Sequence, residues 1–412
     1  MILRLYSLFI FIFAAGIRIL FIFSGKIKKM YLGQQMTIKW LNGIQPKSTS
    51  EQKTIWMHCS SLGEFEQGRM ILEGLRLQLP DIYIYLSFFS PSGYEIRHNW
   101  VIANKVFYLP VDTEANASLI IGKLRPDCII LVKYDFWWNL LQKASDVKIP
   151  VYLVAANFNR DRYFFKPPFI HIMKKWKCIF TIRENTALLL NSYGFQHLLT
   201  VGDPRTDRVI AIKNQIKEFP KNLVKYLTSK PQVVVYGSVW ESDLHVINPF
   251  IRQNPDILHI LVPHDVSPEN VHTLSKILDQ PFSLLSKEDY SSGILMVDKI
   301  GILSSLYNYA TFVYIGGGFG KGIHNTLEAA VYEVPLFFGP RYTSFPEAIE
   351  FVEVGAGFVV HDGNEFINKT KHLLRHQEDY IMIGKKLHDY FIRHQGASQK
   401  IISHIIRENF TG

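Results

Sequence analysis

The chain predicts an α/β fold of two doubly wound parallel-sheet domains in tandem, preceded by a separate apolar helix. Three observations carry this. Short apolar runs rich in β-branched and aromatic residues alternate with helical segments through most of the 412 residues. The runs form two series, parted by a polar stretch around Lys213–Pro231. Within the second series, Thr311–Pro340 reads as strand, glycine-rich loop, helix and next strand. The length suffices for two domains with proper cores.

The first series comprises strands at Thr54–Cys59, Ile82–Phe89, Val106–Leu109, Cys128–Val132, Val151–Ala155, Cys178–Ile182 and Leu198–Val201. The second comprises Gln232–Tyr236, Leu258–Val262, Phe282–Leu285, Ile294–Val297, Thr311–Ile315, Val334–Phe338 and Phe358–Val360. Ligands are expected at the C-terminal strand ends, in the cleft between the domains. The domains are drawn at residues 30–210 and 211–412, the basic helical C-terminus packing back across the cleft.

Residues 1–29 differ from the rest. Leu5–Phe23 is almost wholly apolar, broken by Arg18 and flanked by Arg4 and by Lys26, Lys28 and Lys29. A secretory signal would show a shorter apolar core and a small-residue cleavage site. A helix here roughly matches a bilayer core of ~30 Å, and Arg4 and Arg18 fall near one face, so spanning and lying flat both stay open. The lysines favour a cytoplasmic location for the following chain. Residues from about Lys26 to Lys53 read as a linker.

In the glycine-rich stretch, Gly316, Gly317, Gly318, Gly320 and Gly322 follow the strand, and Asn325 reads as the cap of a helix running to about Tyr332. Such a unit presents N–H groups to a phosphate. No register gives G-x-G-x-x-G or G-x-x-x-x-G-K-[ST], which argues against dinucleotide dehydrogenases and P-loop enzymes.

Other strand ends carry further chemistry. Ser60-Ser61-Leu62-Gly63-Glu64 ends the first strand, and Glu64 reads either as a general base or as the acidic half of a capping box. Lys133-Tyr134-Asp135-Phe136-Trp137-Trp138-Asn139 offers charge beside an apolar wall, or else a helix start capped by Asp135. Gly202-Asp203-Pro204-Arg205 offers a cation or an interdomain turn. Gly237-Ser238-Val239-Trp240-Glu241 could hold a phosphate, and Pro263-His264 and Asp298-Lys299-Ile300-Gly301 end two later strands.

Composition narrows the partners. The net charge of +9 favours anionic ones, yet the 45 basic residues are scattered and no nucleic-acid-reading motif is present. Cys59, Cys128 and Cys178 fall in strands with no C-x-x-C, as buried thiols in a reducing compartment do. The 15 histidines show no H-E-x-x-H, so neither a metal site nor any other cofactor is expected.

With these motifs in hand, the chain resembles the 3-deoxy-D-manno-octulosonic acid (Kdo) transferases of lipopolysaccharide biosynthesis over essentially its whole length. The resemblance is carried by Ser60–Glu64, Gly202-Asp203-Pro204-Arg205-Thr206-Asp207-Arg208-Val209, Gly237–Glu241 and His324-Asn325-Thr326-Leu327-Glu328. It implies a GT-B fold and inverting, metal-independent transfer of Kdo from CMP-Kdo to a lipid A precursor. The implied setting is the cytoplasmic side of the cell inner membrane. By the same resemblance Glu64 is the catalytic base and Asp135 and Arg205 stabilise the transition state. Ser238, Pro263, His264, Ile300, Gly301, Asn325, Thr326, Leu327 and Glu328 fall on or near the donor contacts. Lys133, Asp135, Trp138, His264 and Ile302 depart from the family pattern. Alternatives are a GT-B enzyme using a UDP-sugar and a lipid acceptor, a non-catalytic sugar-nucleotide sensor, and a soluble nucleic-acid binder.

Overall fold

The computed structural model describes residues 2–46, 52–158, 165–215 and 218–410, with side chains from Leu5 onward. It divides into two compact units, Met1–Asp207 with His394–Gly412, and Arg208–Arg393. Every expected strand forms. In the first unit these are β1 (Thr54–Cys59), β2 (Tyr83–Phe88), β3 (Lys105–Tyr108), β4 (Cys128–Val132), β5 (Val151–Ala156), β6 (Cys178–Thr181) and β7 (Leu198–Thr200). They join as one parallel sheet in the order β3-β2-β1-β4-β5-β6-β7.

The second unit holds β8 (Val233–Val239), β9 (Leu258–Pro263), β10 (Ser283–Leu284), β11 (Ile294–Met296), β12 (Phe312–Ile315), β13 (Leu336–Phe338) and β14 (Gly357–Val359). Their order is β10-β11-β9-β8-β12-β13-β14, again all parallel. In both sheets the winding reverses beside the first strand, between β1 and β4 and between β8 and β12. Nearly unbroken burial along β1, β4, β8 and β12 explains why these strands read as continuous apolar runs rather than alternating ones.

The C-terminus divides between the units. The helix Gln377–His394 lies almost wholly in the second, whereas the last helix, Ala397–Asn409, belongs to the first. Ile401, Ile402 and Ile405 join the core formed by β1, β2 and β4. Asp207 secures this return by accepting hydrogen bonds from the Gly396 and Ser398 amides at 2.6 Å each. A boundary near residue 210 therefore stands close to the first crossing, but the end of the chain does not stay with the second unit.

The N-terminal expectation also changes. Two helices, α1 (Ile2–Leu20) and α2 (Gly25–Gly43), replace the single helix and linker; residues 47–51 of that linker lie outside the described residues. α2 is docked on the first unit: Leu41 is fully buried, Gln34 donates to the Leu109 carbonyl at 3.0 Å, and a Cβ on Gly33 would collide with the Tyr108 ring. α1 packs through Ile10 and Ile17 and through Tyr6, whose hydroxyl donates to Asp112 at 2.6 Å. Its other side leaves Phe9, Phe11, Ile12 and Ile19 exposed. Among the described residues no single helix is long and apolar enough to cross a membrane; α1 and α2 qualify only as a pair bent by 116°.

Two predictions follow from this packing. A Cβ on Gly318 would come within 2.5 Å of the Gly339 backbone, whereas one on Gly320 meets only the Gly317 carbonyl at 3.7 Å. Gly318→Ala is expected to lower stability in urea unfolding by about 2–3 kcal/mol, and Gly320→Ala by under ~0.5 kcal/mol. The second concerns Asp112, which is buried and also accepts from the Asn139 and Leu140 amides at 2.9 Å. Burial pushes its carboxyl up to about 6, against the pull of these donors. The folded chain therefore holds this proton more tightly than the unfolded chain does. Asp112's contribution to stability should fall as pH rises from the ordinary carboxylate value to about 6. Urea midpoints measured across that range should show a component of this sign that Asp112→Asn removes.

Candidate active site

β1 and β4 lie side by side where the first sheet reverses, which is where such sheets open a ligand crevice at their C-terminal ends. The segments leaving them bring Glu64 and Asp135 together through Ser60. The Ser60 amide donates to Asp135 Oδ2 at 3.2 Å, and its hydroxyl pairs with Oδ1 at 2.5 Å. Glu64, in the first turn of α3 (Leu62–Gln78), accepts from the Ser61 amide at 3.0 Å. The capping contact is thus present, and it orients the carboxylate without excluding a role as base.

Burial raises Glu64's proton affinity, against the opposing Ser61 and Ser60 amides and the Lys133 charge. Burial, and then the charge of Glu64, raises that of Asp135 well above the ordinary range. Two neighbouring carboxylates in such a site cannot both ionise cheaply, so they titrate as one pair with a proton to share. Of the two readings of Asp135, the helix cap is not the one seen: that helix begins at Trp138, whose amide donates to Tyr6 Oη at 3.3 Å, and the Asn139 and Leu140 amides donate to Asp112.

Beneath the pair lies His58, fully buried. Its Nδ1 pairs with Ser87 Oγ at 2.8 Å, and Ser87 also accepts from Trp56 Nε1 at 2.8 Å. Burial pushes His58 down to about 3, so its 3.6 Å approach to Asp135 is that of a neutral ring and not a salt bridge. Arg205 is held by its own turn, Nε reaching Asp203 Oδ2 at 3.0 Å and a terminal nitrogen the same oxygen at 2.6 Å. Burial opposes ionisation of Asp203, but Arg205 and then Lys133 outweigh it and hold the carboxyl below the ordinary range.

In the second unit the segments after β8 and β12 meet at the reversal. A Cβ on Gly316 would collide with the Ser238 carbonyl, and Ser238 itself has φ +55° at a register shift between Gly237 and Val239. Asp243 binds both segments, accepting from Trp240 N at 2.8 Å and from Gly317 N and Tyr314 Oη at 2.9 Å. The glycine loop is mostly self-bonded: the amides of Gly316, Gly317, Gly320, Gly322 and His324 all donate within the unit. The helix after it is a single turn, Leu327–Ala330, with Thr326 in the cap position and Asn325 Oδ1 accepting from Leu327 N at 3.2 Å. The helix expected from Asn325 to about Tyr332 is thus shorter than read, and Gly316 and Gly318 also let neighbouring backbones touch.

The open face lies next to this loop. Trp240, His264 and His324 form a ring stack with centroids 4.2 and 4.5 Å apart. Trp240 and His264 line a groove of about 1000 Å³ that also includes Glu241, His245, Asn270 and Ile300. Of the expected donor residues, the structure thus puts His264 and Ile300 on one groove, with Pro263 at its strand end and Ser238 beside it. Thr326 and Leu327 are fully buried, leaving backbone as what they can offer there. Glu328 pairs with Asn325 Nδ2 at 3.0 Å; burial raises its carboxyl, and Asn325 and then Arg208 pull the other way. Gly301 has φ +82° with open space around it. Sequence reasoning missed His58, whose partners are remote in the chain, and Asp243, whose partners Tyr314 and Gly317 are, and did not place Trp240 and His324 in one stack.

Residues 37–208 match the sequence model of the 3-deoxy-D-manno-octulosonic-acid transferases. Over those residues the chain resembles the Kdo transferases, and relatives of that name align with most of its length. It is 25% identical over 390 residues to the 3-deoxy-D-manno-octulosonic acid transferase of Chlamydia pneumoniae, covering 86% of this chain and 84% of that one. It is 22% identical to the enzyme of the same name from Haemophilus influenzae, covering 84% and 85%. Among solved structures, MurG of Acinetobacter baumannii aligns over 87% of this chain and all of its own at TM-score 0.59 and 10% identity. A UDP-N-acetylglucosamine 2-epimerase from Listeria monocytogenes aligns over 87% and 97% at 0.61 and 12%. The fold is GT-B and the protein is a glycosyltransferase.

The shared proton gives a direct test. Replacing Glu64 by Gln removes the negative charge beside Asp135, so Asp135 should ionise more readily. Carbon-detected NMR titration of the Asp135 carboxyl is expected to show a lower midpoint in Glu64→Gln than in the parent protein.

Proposed function

We propose that the protein transfers Kdo from CMP-Kdo to a lipid A precursor, with inversion at the anomeric carbon and no metal. The observation that carries this is Glu64, a partly buried carboxylate of raised proton affinity at the β1–β4 reversal, in a chain that resembles the Kdo transferases. A carboxylate whose proton affinity is raised by burial is a stronger base, in its ionised form, toward the proton of an acceptor hydroxyl as that oxygen attacks. The anomeric carbon–oxygen bond breaks as the new one forms, and CMP leaves with the bonding electrons.

Asp135 and Lys133 set the charge around Glu64, and Arg205 adds fixed positive charge for the leaving phosphate. The second unit would hold the donor along its groove, with Ser238, Pro263, His264, Ile300, Gly301, Asn325 and Glu328 near it. The Trp240–His264–His324 stack offers aromatic faces to the base, where base–aromatic contacts contribute about 1–3 kcal/mol. A membrane-borne, phosphorylated acceptor is consistent with the exposed apolar side of α1 and the chain's +9 charge. The reading places both units on the cytoplasmic side of the inner membrane.

Mass spectrometry of the product from CMP-Kdo and a tetra-acylated lipid A precursor tests it. The parent protein should add whole Kdo units, and Glu64→Ala should lose at least ~10²-fold in rate. The acid limb of kcat/KM should lie above the ordinary glutamate value, because the base must be ionised and burial raises its pKa. No Kdo addition by folded protein, with transfer from a UDP-sugar instead, would overturn the donor. Equal rates for both proteins would return Glu64 to its capping role.

A further inference from the structure

Away from both strand-end regions, the helix Gly363–Arg375 is joined to the helix Gln377–His394 through the one residue His376. At this corner His372, His376 and Asp379 each offer a ligand atom, all within 4.8 Å of one another. We propose that they form a binding site for a divalent transition-metal ion of the zinc class, one that cross-links the corner.

The chemistry is that of two imidazoles four residues apart with a carboxylate from the next element, a donor set suited to zinc, nickel or copper and poor for magnesium. The tautomer of His376 is already set. Its Nδ1 lies 2.8 Å from the His372 carbonyl, which can only accept, so Nδ1 carries the hydrogen and Nε2 keeps its lone pair. That backbone contact is the outer partner a metal-binding histidine usually has. Opposite it, His372 Nε2 and Asp379 Oδ2 lie 2.9 Å apart, close to the span of two ligands sharing one ion. Metal binding would take the place of the hydrogen between them, neutral His372 exchanging that hydrogen from Nε2 to Nδ1 through solvent, with no net proton released.

The neighbourhood allows entry. All three residues are exposed, and the His372 and His376 rings are stacked with centroids 4.1 Å apart, so little movement would bring their nitrogens onto one ion. Lys371, on the same helix, turns its ammonium to Gln253 at 3.3 Å. Three protein ligands would leave a fourth position to water. Both helices belong to the second unit, so the cross-link is internal to it.

The test is calorimetric titration of the full chain, free of any affinity tag and pre-treated with EDTA, with Zn²⁺ and separately with Mg²⁺. One saturable Zn²⁺ site and no comparable Mg²⁺ site are expected. His376→Ala and Asp379→Asn should each weaken Zn²⁺ binding at least ~tenfold, and His361→Ala, at another exposed histidine, should leave it unchanged. Melting temperature should rise by about 2 °C with saturating Zn²⁺ in the parent protein and not in the two variants. Identical Zn²⁺ titrations for parent and variants would overturn the proposal. So would a stability loss in Asp379→Asn of the same size with Zn²⁺ and with EDTA, since the corner would then be held by the His372–Asp379 hydrogen bond alone.

Discussion

The second unit depends on the contact of two backbones at the reversal of its sheet. β8 and β12 are neighbours, and the segments leaving them have to diverge while still touching, Gly316 lying against the Ser238 carbonyl; one step along, Gly318 lies against Gly339, which leaves the next strand, β13. No side chain fits at either place. Asp243 then ties the two segments by accepting from an amide of each and from the Tyr314 hydroxyl. A fully buried carboxylate is costly unless its lone pairs are satisfied, and here three donors satisfy them. The positions of Trp240 and His324, and hence of the ring stack, follow from this joint.

The first unit solves the same topological problem with different chemistry. β1 and β4 are the counterparts of β8 and β12, but their ends carry two carboxylates where the second unit has glycines. Ser60 holds Asp135 by amide and hydroxyl, and a neutral His58 fills the space below. Burial raises the proton affinity of both carboxylates, which costs stability at neutral pH and leaves a base with useful strength. Arg205, locked by Asp203, keeps its positive charge in one place instead of sampling solvent.

The chain ends show how covalent order and packing order can separate. The last helix is encoded after the whole second unit yet completes the core of the first, where its isoleucines cover the sheet and Asp207 satisfies its leading amides. α2 likewise reads as a polar linker because only Met30, Gln34, Thr37 and Leu41 turn inward. A sparse inward face is a weak periodic signal, and here it is enough because Gly33 lets the helix sit directly on Tyr108.

Strand positions, the parallel class, the glycine turn and the Ser61–Glu64 cap were legible from the sequence alone, because each is set by neighbours a few residues apart. Apolar runs mark strands buried on both faces, and a serine three residues before a glutamate marks a helix start. The tertiary structure alone decided what those residues meet. The Ser60–Asp135, Gly317–Asp243 and Tyr6–Asp112 bonds join positions 75, 74 and 106 residues apart, and no local pattern announces them. The same holds for His58, which reads as an ordinary strand residue until the sheet places Asp135 above it. Glycines in a loop likewise do not reveal whether a ligand or another backbone requires them. Here the neighbouring backbones do, because strands paired edge to edge leave their exit loops too close for a Cβ.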